Sequence, residues 1–166
     1  TGISAINKLK FTLLGDPALK LPIPQFNVLV TEILNSNSNE QIDTLSALSK
    51  VKIKGAVVTE DGYIIDSFNG ILKSKVYDKP ISLQTLNNDF EDLDPFNFDL
   101  QQSILYAGSV TVEEGLFDIE FVVPHDISYA NGNGKISFYA FSEEHDAIGA
   151  YVDIVIGGFD AEADID

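Results

Sequence analysis

The chain has no cysteine, no methionine and no tryptophan, and all ten of its basic residues are lysine. Without cysteine it can form neither disulfide bridges nor thiolate metal sites, and it has no thiol nucleophile. Without arginine, and with a formal net charge of −16, it lacks the basic footprint and guanidinium forks of nucleic-acid-binding proteins. We therefore expect no nucleic acid among its partners.

Long apolar runs are also missing. No stretch approaches the roughly 18 apolar residues of a transmembrane helix, and no charged start with an apolar segment forms a signal peptide. The chain begins at Thr1. These features predict a processed or excised part of an exported protein, with no transmembrane segment of its own and its export signal elsewhere.

Charge is distributed unevenly along the sequence. Residues 1–80 contain nine lysines and eight acidic residues, whereas residues 81–166 contain eighteen acidic residues and a single lysine, Lys135. The acidic half favours solubility and repels anionic membranes. Carboxylates at this density could also hold calcium.

From Gln25 onward, apolar and polar residues alternate with a period of two, which is typical of antiparallel strands with one face in water. Turn residues separate the runs at Asp61-Gly62, Glu114-Gly115, 131–134 and 142–146. About seven such strands predict an all-β, immunoglobulin-like β-sandwich. A single short helix is expected after Asp43, which can cap one or two turns through Leu45 and Leu48.

The first residues do not follow the two-residue pattern. Ser4 can cap a short helix, and Gly15-Asp16-Pro17 then interrupts the chain before the stiff segment Leu21-Pro22-Ile23-Pro24. We interpret residues 1–21 as the C-terminal remnant of a preceding domain plus a linker, and residues 22–166 as the sandwich.

Several motifs resemble a known family. Leu13 to Leu19 resembles the closing motif of the gingipain-type cysteine peptidase domain. Phe68-Asn69-Gly70 and Val76-Tyr77-Asp78-Lys79 resemble the region after that domain in the PorU-like sortases of the type IX secretion system of Bacteroidetes. The resemblance covers most of the chain.

The resemblance has functional implications. In that family the peptidase domain precedes an immunoglobulin-like domain, and the sortase removes the C-terminal signal domain of exported cargo and links the cargo to anionic lipopolysaccharide. The catalytic Cys and His lie upstream of the closing motif, so the resemblance implies a fragment with no catalytic residue. We also predict that the fragment has no cofactor-binding or metal residue. Its expected role is a scaffold or docking domain at the cell surface, associated with the outer membrane. Adjacent domains, secretion-system proteins and anionic glycolipid are the expected partners.

Two His-Asp pairs are candidates for part of a hydrolytic site. His125-Asp126 and His145-Asp146 each place an imidazole beside a carboxylate. Neighbouring side chains in an extended segment point in opposite directions, so neither pair is suited to a triad. Surface histidines in turns are the favoured interpretation.

Acidic residues are concentrated in the segment 87–99 and in the C-terminal tail, interleaved in the first case with phenylalanines. The segment could wrap calcium or anchor a partner, but it lacks the glycine that sharp calcium loops use. A solvated loop pinned by its phenylalanines, and a solvated tail, are favoured, so calcium is possible but not predicted. The acidic residues concerned are Asp89, Glu91, Asp92, Asp94 and Asp99 in the segment, and Asp160, Glu162, Asp164 and Asp166 in the tail.

Lysines form a stripe on two of the predicted strands. The stripe consists of Lys50, Lys52, Lys54, Lys73 and Lys75. If the two strands pair, five ammonium groups share one surface, either as protection of a sheet edge or as a docking patch for an acidic surface or anionic glycolipid. An alternative function for the whole chain is a stand-alone surface adhesion or carbohydrate-binding module, which the absence of tryptophan makes less favoured.

Overall fold

The computed structural model describes residue 18, residues 23–86, residue 88 and residues 94–160. Every regular element in these residues is a β-strand. The strands are β1 (Phe26–Asn35), β2 (Thr44–Ala47), β3 (Lys50–Val58), β4 (Gly70–Tyr77), β5 (Ile81–Gln84), β6 (Asn97–Leu100), β7 (Ile104–Val112), β8 (Leu116–Val122), β9 (Gly132–Asn133), β10 (Lys135–Phe141), β11 (Asp146–Tyr151) and β12 (Val155–Phe159). Within the described ranges, no helix is long and apolar enough to cross a membrane.

Seven strands form the body of the molecule, in the order β7-β4-β10-β11-β1-β3-β8. Strand β1 joins the two layers. Phe26 and Asn27 pair in parallel with β11, and Asn27 to Asn35 pair antiparallel with β3, with a register shift between Val30 and Glu32. One layer is therefore β8-β3-β1 and the other β11-β10-β4-β7. This arrangement confirms the predicted sandwich, although one of its strand pairs is parallel.

The core lies between the layers and follows from the alternation. Val51, Ile53 and Val57 of β3 are fully buried, while the lysines between them face outward. Phe117 of β8 meets Phe138 of β10 across the layers, with ring centroids 5.8 Å apart. Burial of each such side chain contributes about 1.5–3 kcal/mol relative to exposure. The body is therefore stabilised by hydrophobic contact between the layers.

The outer edges of the layers approach each other at β7 and β8, so the sheet is nearly closed like a barrel. Glu114 and Gly115 form the turn between these strands, with φ values of 50° and 75°. Two successive positive φ values are typical of a type I′ hairpin turn. Further along, Tyr106 of β7 stacks on Phe121 of β8. Side-chain contact rather than a continuous ladder thus closes this side.

A second, three-stranded sheet in the order β2-β12-β9 closes one end of the sandwich. The predicted helix after Asp43 is wrong, because residues Thr44–Ala47 form β2 and pair in parallel with β12. Leu45 and Ala47 are fully buried while the residues between them are half-buried. Burial with a period of two and pairing with β12 override the helix-capping tendency of aspartate.

The predicted loop at 87–99 also needs correction, because its last residues begin β6. Strand β6 pairs antiparallel with β5 as a separate two-stranded sheet. The segment 131–134, predicted as a turn, contains the short strand β9. Both corrections concern short strands. Strand β6 and its partner β5 are exposed, and the partner of β9 is β12, which lies further along the sequence.

The sandwich has two poles. The N-terminal pole contains the start of β1 and the connections 59–69, 113–115 and 142–145. The C-terminal pole contains the end of β4, the start of β7 and the β2-β12-β9 sheet. The predicted domain boundary between residues 21 and 22 lies outside the described residues. From Phe26 onward, the chain runs from the first pole and reaches Phe159 at the second.

Candidate docking surfaces

The structure separates the two halves of the predicted lysine stripe. Strand β3, which carries Lys50, Lys52 and Lys54, pairs with β1 and β8, whereas β4, which carries Lys73 and Lys75, pairs with β7 and β10. Three strands, β1, β11 and β10, lie between them in the sheet. The five ammonium groups therefore do not form one surface, and any docking role would involve two distinct places.

The three lysines of β3 form a ladder of ion pairs with carboxylates from both neighbouring strands. Lys54 Nζ lies 2.9 Å from Glu32 of β1. On the other side, Lys52 Nζ lies 2.8 Å from Asp118 and Lys50 Nζ lies 2.5 Å from Glu120, both on β8. The positive charge of this half of the stripe is thus balanced within the sheet.

Lys52 shows the electrostatic effect of this ladder. The hydrogen bond to Asp118, together with the charge of the same carboxylate, raises the pKa of the Lys52 ammonium above its usual 10.5. Asp118 is exposed and Lys52 is half-buried, and ion pairs at the protein surface contribute little to stability. The lysines are evident in the sequence, but their pairing with Glu32, Asp118 and Glu120 is not. The alternation of Asp118 and Glu120 on a predicted strand was the available signal.

Lys73 and Lys75 lie on the outer face of the other layer, beside aromatic rings. Lys73 Nζ lies 5.4 Å from the centroid of the Phe141 ring, which stacks on Tyr139 at a centroid distance of 5.8 Å. Both lysines line a shallow groove of about 540 Å³, together with Tyr77. A cation over an aromatic face is attracted by the ring quadrupole. This part of the stripe is the more accessible to an external anion.

An apolar patch lies at the N-terminal pole. Across the outer face, Leu29 of β1 and Leu116 of β8 flank Ala56 of β3. Both leucines are about half exposed, as is Ile64, and Tyr63 is 73% exposed. We call Leu29, Tyr63, Ile64 and Leu116 the N-terminal patch. Contiguous apolar surface of this kind is typical of interaction sites.

Main-chain hydrogen bonds hold the N-terminal patch in place. Ile65 N donates to Val57 O at 3.0 Å, and Thr59 N donates to Tyr63 O at 2.9 Å. Ile64 also forms an isolated β-bridge with Val58. The connection after β3 is therefore folded back onto the sheet, and its two apolar side chains are presented at a defined position.

A two-stranded arm extends the β4–β7 hairpin at the C-terminal pole. We call the described residues 81–86 and 94–100, which contain β5 and β6, the arm. Ile81 pairs with Leu100 and Leu83 with Phe98 on one face, and Ser82 pairs with Asp99 and Gln84 with Asn97 on the other. All eight of these strand residues are exposed. The arm is thus amphipathic, and its apolar face is open to solvent.

The base of the arm is tied firmly to the sandwich. Lys79 Nζ donates to the carbonyl oxygens of Ser128 at 3.0 Å and Ile156 at 3.2 Å, and it lies 2.9 Å from Asp78 Oδ1. Gln101 Nε2 donates to Asp78 O at 2.7 Å. Because the Lys79 and Asp78 side chains are mostly buried, this network defines the position from which the arm leaves the body.

The histidines lie in connections between strands, and Asp146 is the first residue of β11. The imidazole of His145 packs edge-on against Phe26, with ring centroids 5.2 Å apart. Ser142 Oγ donates to His145 O and accepts from His145 N, both at 3.1 Å, so it bonds the main chain rather than the imidazole. His125 and Asp126 are exposed in the connection after β8.

The acidic clusters are only partly described. Asp89, Glu91 and Asp92, and the tail beyond Asp160, lie outside the described residues. Asp99 accepts a hydrogen bond from Ser82 Oγ at 2.5 Å within the arm. Among the residues that the structure describes, no three histidine, aspartate or glutamate side chains come together as a metal-binding group.

Comparison with known proteins gives a structural neighbour. No protein-family model matches the chain, and no curated protein matches it. The crystal structure of dimeric latent PorU from Porphyromonas gingivalis matches with 29% sequence identity and a TM-score of 0.68. The match covers 90% of this chain and 14% of the PorU chain, so the chain spans only a small part of that protein's length. The resemblance predicted from the sequence is thereby supported, and the chain is a β-sandwich similar to a segment of PorU.

Proposed function

We propose that this chain is a non-catalytic supporting domain of a PorU-like sortase at the cell surface of a bacterium with type IX secretion. The observation that carries this proposal is the 29% identical match of 90% of the chain to a 14% segment of PorU. In this proposal, the chemistry of removing the C-terminal signal domains of cargo belongs to a cysteine peptidase domain upstream. The sandwich positions that domain relative to the rest of the polypeptide.

The N-terminal patch supports contact with the preceding domain. The described chain starts its first strand at that pole, so a domain upstream of Phe26 is attached beside Leu29, Tyr63, Ile64 and Leu116. Interfaces between domains of one chain typically bury moderate areas that include exposed apolar side chains of this kind. Tyr63 is well suited as an anchor, because tyrosine provides a large contact area at low conformational entropy cost.

The two poles give the sandwich the geometry of a spacer. Strand β4 runs between them over eight residues, which corresponds to about 26 Å at the usual rise of a strand. The packed core of the two layers makes this separation rigid. A domain attached at one pole is thus held at a defined distance from structures at the other.

Anionic glycolipid is a separate proposed partner, and it concerns the groove rather than the ladder. Lys50, Lys52 and Lys54 are already paired with carboxylates. Lys73 and Lys75 line the groove on the other layer. Reversing these two charges should weaken any binding of lipopolysaccharide in a salt-dependent manner, and unchanged binding at low salt would rule out this partner.

The first test is genetic and biochemical. The reading frame should encode a cysteine peptidase domain that ends near Gly15-Asp16-Pro17. In the full-length protein, the double substitution I64S/L116S should reduce removal of cargo signal domains and increase hydrogen exchange in the peptidase domain. The matched control is Val122→Ser, since Val122 is equally exposed but lies at the other end of β8.

Other outcomes would contradict the proposal. Normal cargo processing by I64S/L116S, with unchanged hydrogen exchange, would exclude a supporting role for the N-terminal patch. A signal peptide directly before Thr1, or specific binding of the purified chain on a glycan array, would favour the alternative of a stand-alone adhesion or carbohydrate-binding module.

A further inference from the structure

The apolar face of the arm is exposed, and its side chains are available for contact with another surface. Its four paired side chains, Ile81, Leu83, Phe98 and Leu100, lie on one side of a two-stranded ribbon with no third strand beside it among the described residues. Farther out, Phe96 is 69% exposed and Leu86 is 87% exposed. An isolated two-stranded ribbon is at best marginally stable in water, and its usual stabilisation is packing of one face on another element.

We propose that the arm docks, through this apolar face, on a basic-rimmed surface of a folded domain that follows this chain in the same polypeptide. This inference rests on the proposed function, in which the chain is one segment of a longer PorU-like protein. It adds a second docking surface, at the opposite pole from the N-terminal patch, and a different neighbour.

The path of the chain fixes the side on which a following domain would be attached. Strand β12 runs directly past the base of the arm, since Lys79 Nζ bonds to Ile156 O. Asp160 N then donates to Ala47 O, so the described chain reaches its last residue at the C-terminal pole. A domain attached beyond that residue lies on the same side as the arm, whereas a domain attached before Phe26 lies at the other pole.

Charge defines the chemistry of the surface that the arm can contact. The sequence has no lysine between Lys79 and Lys135, and the arm carries the exposed carboxylates Asp94 and Asp99. Two arms from two copies would bring like charges together, and an anionic lipid surface would repel the arm. Lysine or arginine side chains around an apolar cleft would complement both features of the arm.

The anchored base favours docking as a preformed unit. Asp78 N donates to Ser103 O at 2.9 Å, which continues the pairing of the hairpin into the arm. With Lys79 and Gln101, this contact restricts the direction of the arm before any partner binds. Preorganisation of this kind reduces the entropic cost of binding.

A photo-cross-linking experiment on the full-length polypeptide tests the proposal. Benzoylphenylalanine replaces Phe98 on the apolar face in one protein and Ser82 on the polar face in a matched control. After irradiation, mass spectrometry identifies the cross-linked peptides. The Phe98 probe should react with a domain C-terminal to Asp166, near lysine or arginine residues, with a yield roughly tenfold above that of the Ser82 probe, because only the apolar face is buried in the contact.

Substitutions provide a second measurement that does not depend on the probe. L83S/F98S should increase hydrogen exchange about tenfold or more at the contacted surface of the following domain, since two large apolar side chains leave the interface. The control S82A/N97S changes only the polar face and should leave that exchange unchanged. Thermal unfolding of both variants checks that the sandwich itself stays folded.

Several results would overturn the proposal. One is a reading frame that stops at Asp166. Another is cross-linking of the Phe98 probe to a second copy, to the upstream domain or to lipopolysaccharide. The third is the absence of any cross-link together with unchanged hydrogen exchange in L83S/F98S. None of them would affect cargo processing by variants of the N-terminal patch. Failure of this inference can therefore be distinguished from failure of the proposed function.

Discussion

Tyr106 stacks on Phe121 with ring centroids 4.6 Å apart and an interplanar angle of 21°. The two residues belong to β7 and β8, the outer strands of the seven-stranded order, so this one pair joins the open edges of both layers. Aromatic pairs contribute about 0.5–1.5 kcal/mol beyond the area they bury. The contact is thus one of the few that hold the sheet in its nearly closed form.

The stack predicts coupling between its two members. Tyr106→Leu and Phe121→Leu should each lower the free energy of unfolding, and the double variant should show a coupling energy of about 0.5–1.5 kcal/mol in a double-mutant cycle. Hydrogen exchange should increase in β7 and β8. Tyr63→Leu is the control, because that side chain is 73% exposed and lies away from the stack. Additive effects of the two substitutions would contradict the proposed closure.

The Lys79 network predicts that replacing this one side chain lowers the free energy of unfolding. Lys79→Met keeps the apolar stem but removes the bonds to Ser128 O and Ile156 O and leaves Asp78 without its cation. Unfolding by urea should show a loss of about 2 kcal/mol, because partly buried acceptors lose their donor. Lys75→Met, on the exposed outer face, should change stability little. Equal effects of the two substitutions would argue against the network.

The raised pKa of Lys52 predicts a pH dependence of stability. A lysine whose pKa is higher in the folded state stabilises the fold below 10.5, and this contribution is lost as pH rises from there through the folded-state value. As the pH is raised above 10.5, the melting temperature should therefore fall less in Lys52→Met than in the wild type. Asp118→Asn should have the same effect, since it removes the partner. A loss of the same size in both variants and the wild type would exclude this contribution.

The turn between β7 and β8 predicts a stabilising substitution. Glu114 adopts a φ of 50°. Its main-chain N–H donates a hydrogen bond to Asn69 Oδ1, and a new side chain at position 114 leaves this bond in place. Asparagine tolerates this left-handed conformation better than glutamate. Glu114→Asn should raise the free energy of unfolding by about 0.5 kcal/mol. Glu113→Asn, a neighbouring position without positive φ, should give no gain, and a decrease in Glu114→Asn would contradict the prediction.

The alternation of side chains was sufficient to predict the main strands but not all of them. Strands β3 and β8 were evident because bulky buried residues alternate with charged ones. Strand β11 is hard to recognise from the sequence because it is rich in small residues such as Gly149, where a side chain would collide with the Val28 carbonyl. Close approach to β1 requires those small residues, and they carry almost no hydrophobic pattern.

The candidate surfaces depend on information that local sequence does not contain. The lysines of β3 were visible, but their pairing with Glu32 and Asp118 requires the register of three strands. Strands β5 and β6 pair with each other outside the core, so burial provides no signal for them. The N-terminal patch likewise combines residues from β1, β8 and the connection after β3, which only the folded chain brings together.

The double pairing of β1 has a mechanical consequence. Tension applied to the polypeptide at Phe26 and at Phe159 would pull toward opposite poles, along the direction in which β1 runs beside β3. Hydrogen bonds of antiparallel strands lie perpendicular to the strands, so this force would load the whole β1–β3 ladder in shear rather than open it one bond after another. The same strand that unites the two layers would therefore make the sandwich resist stretching from pole to pole.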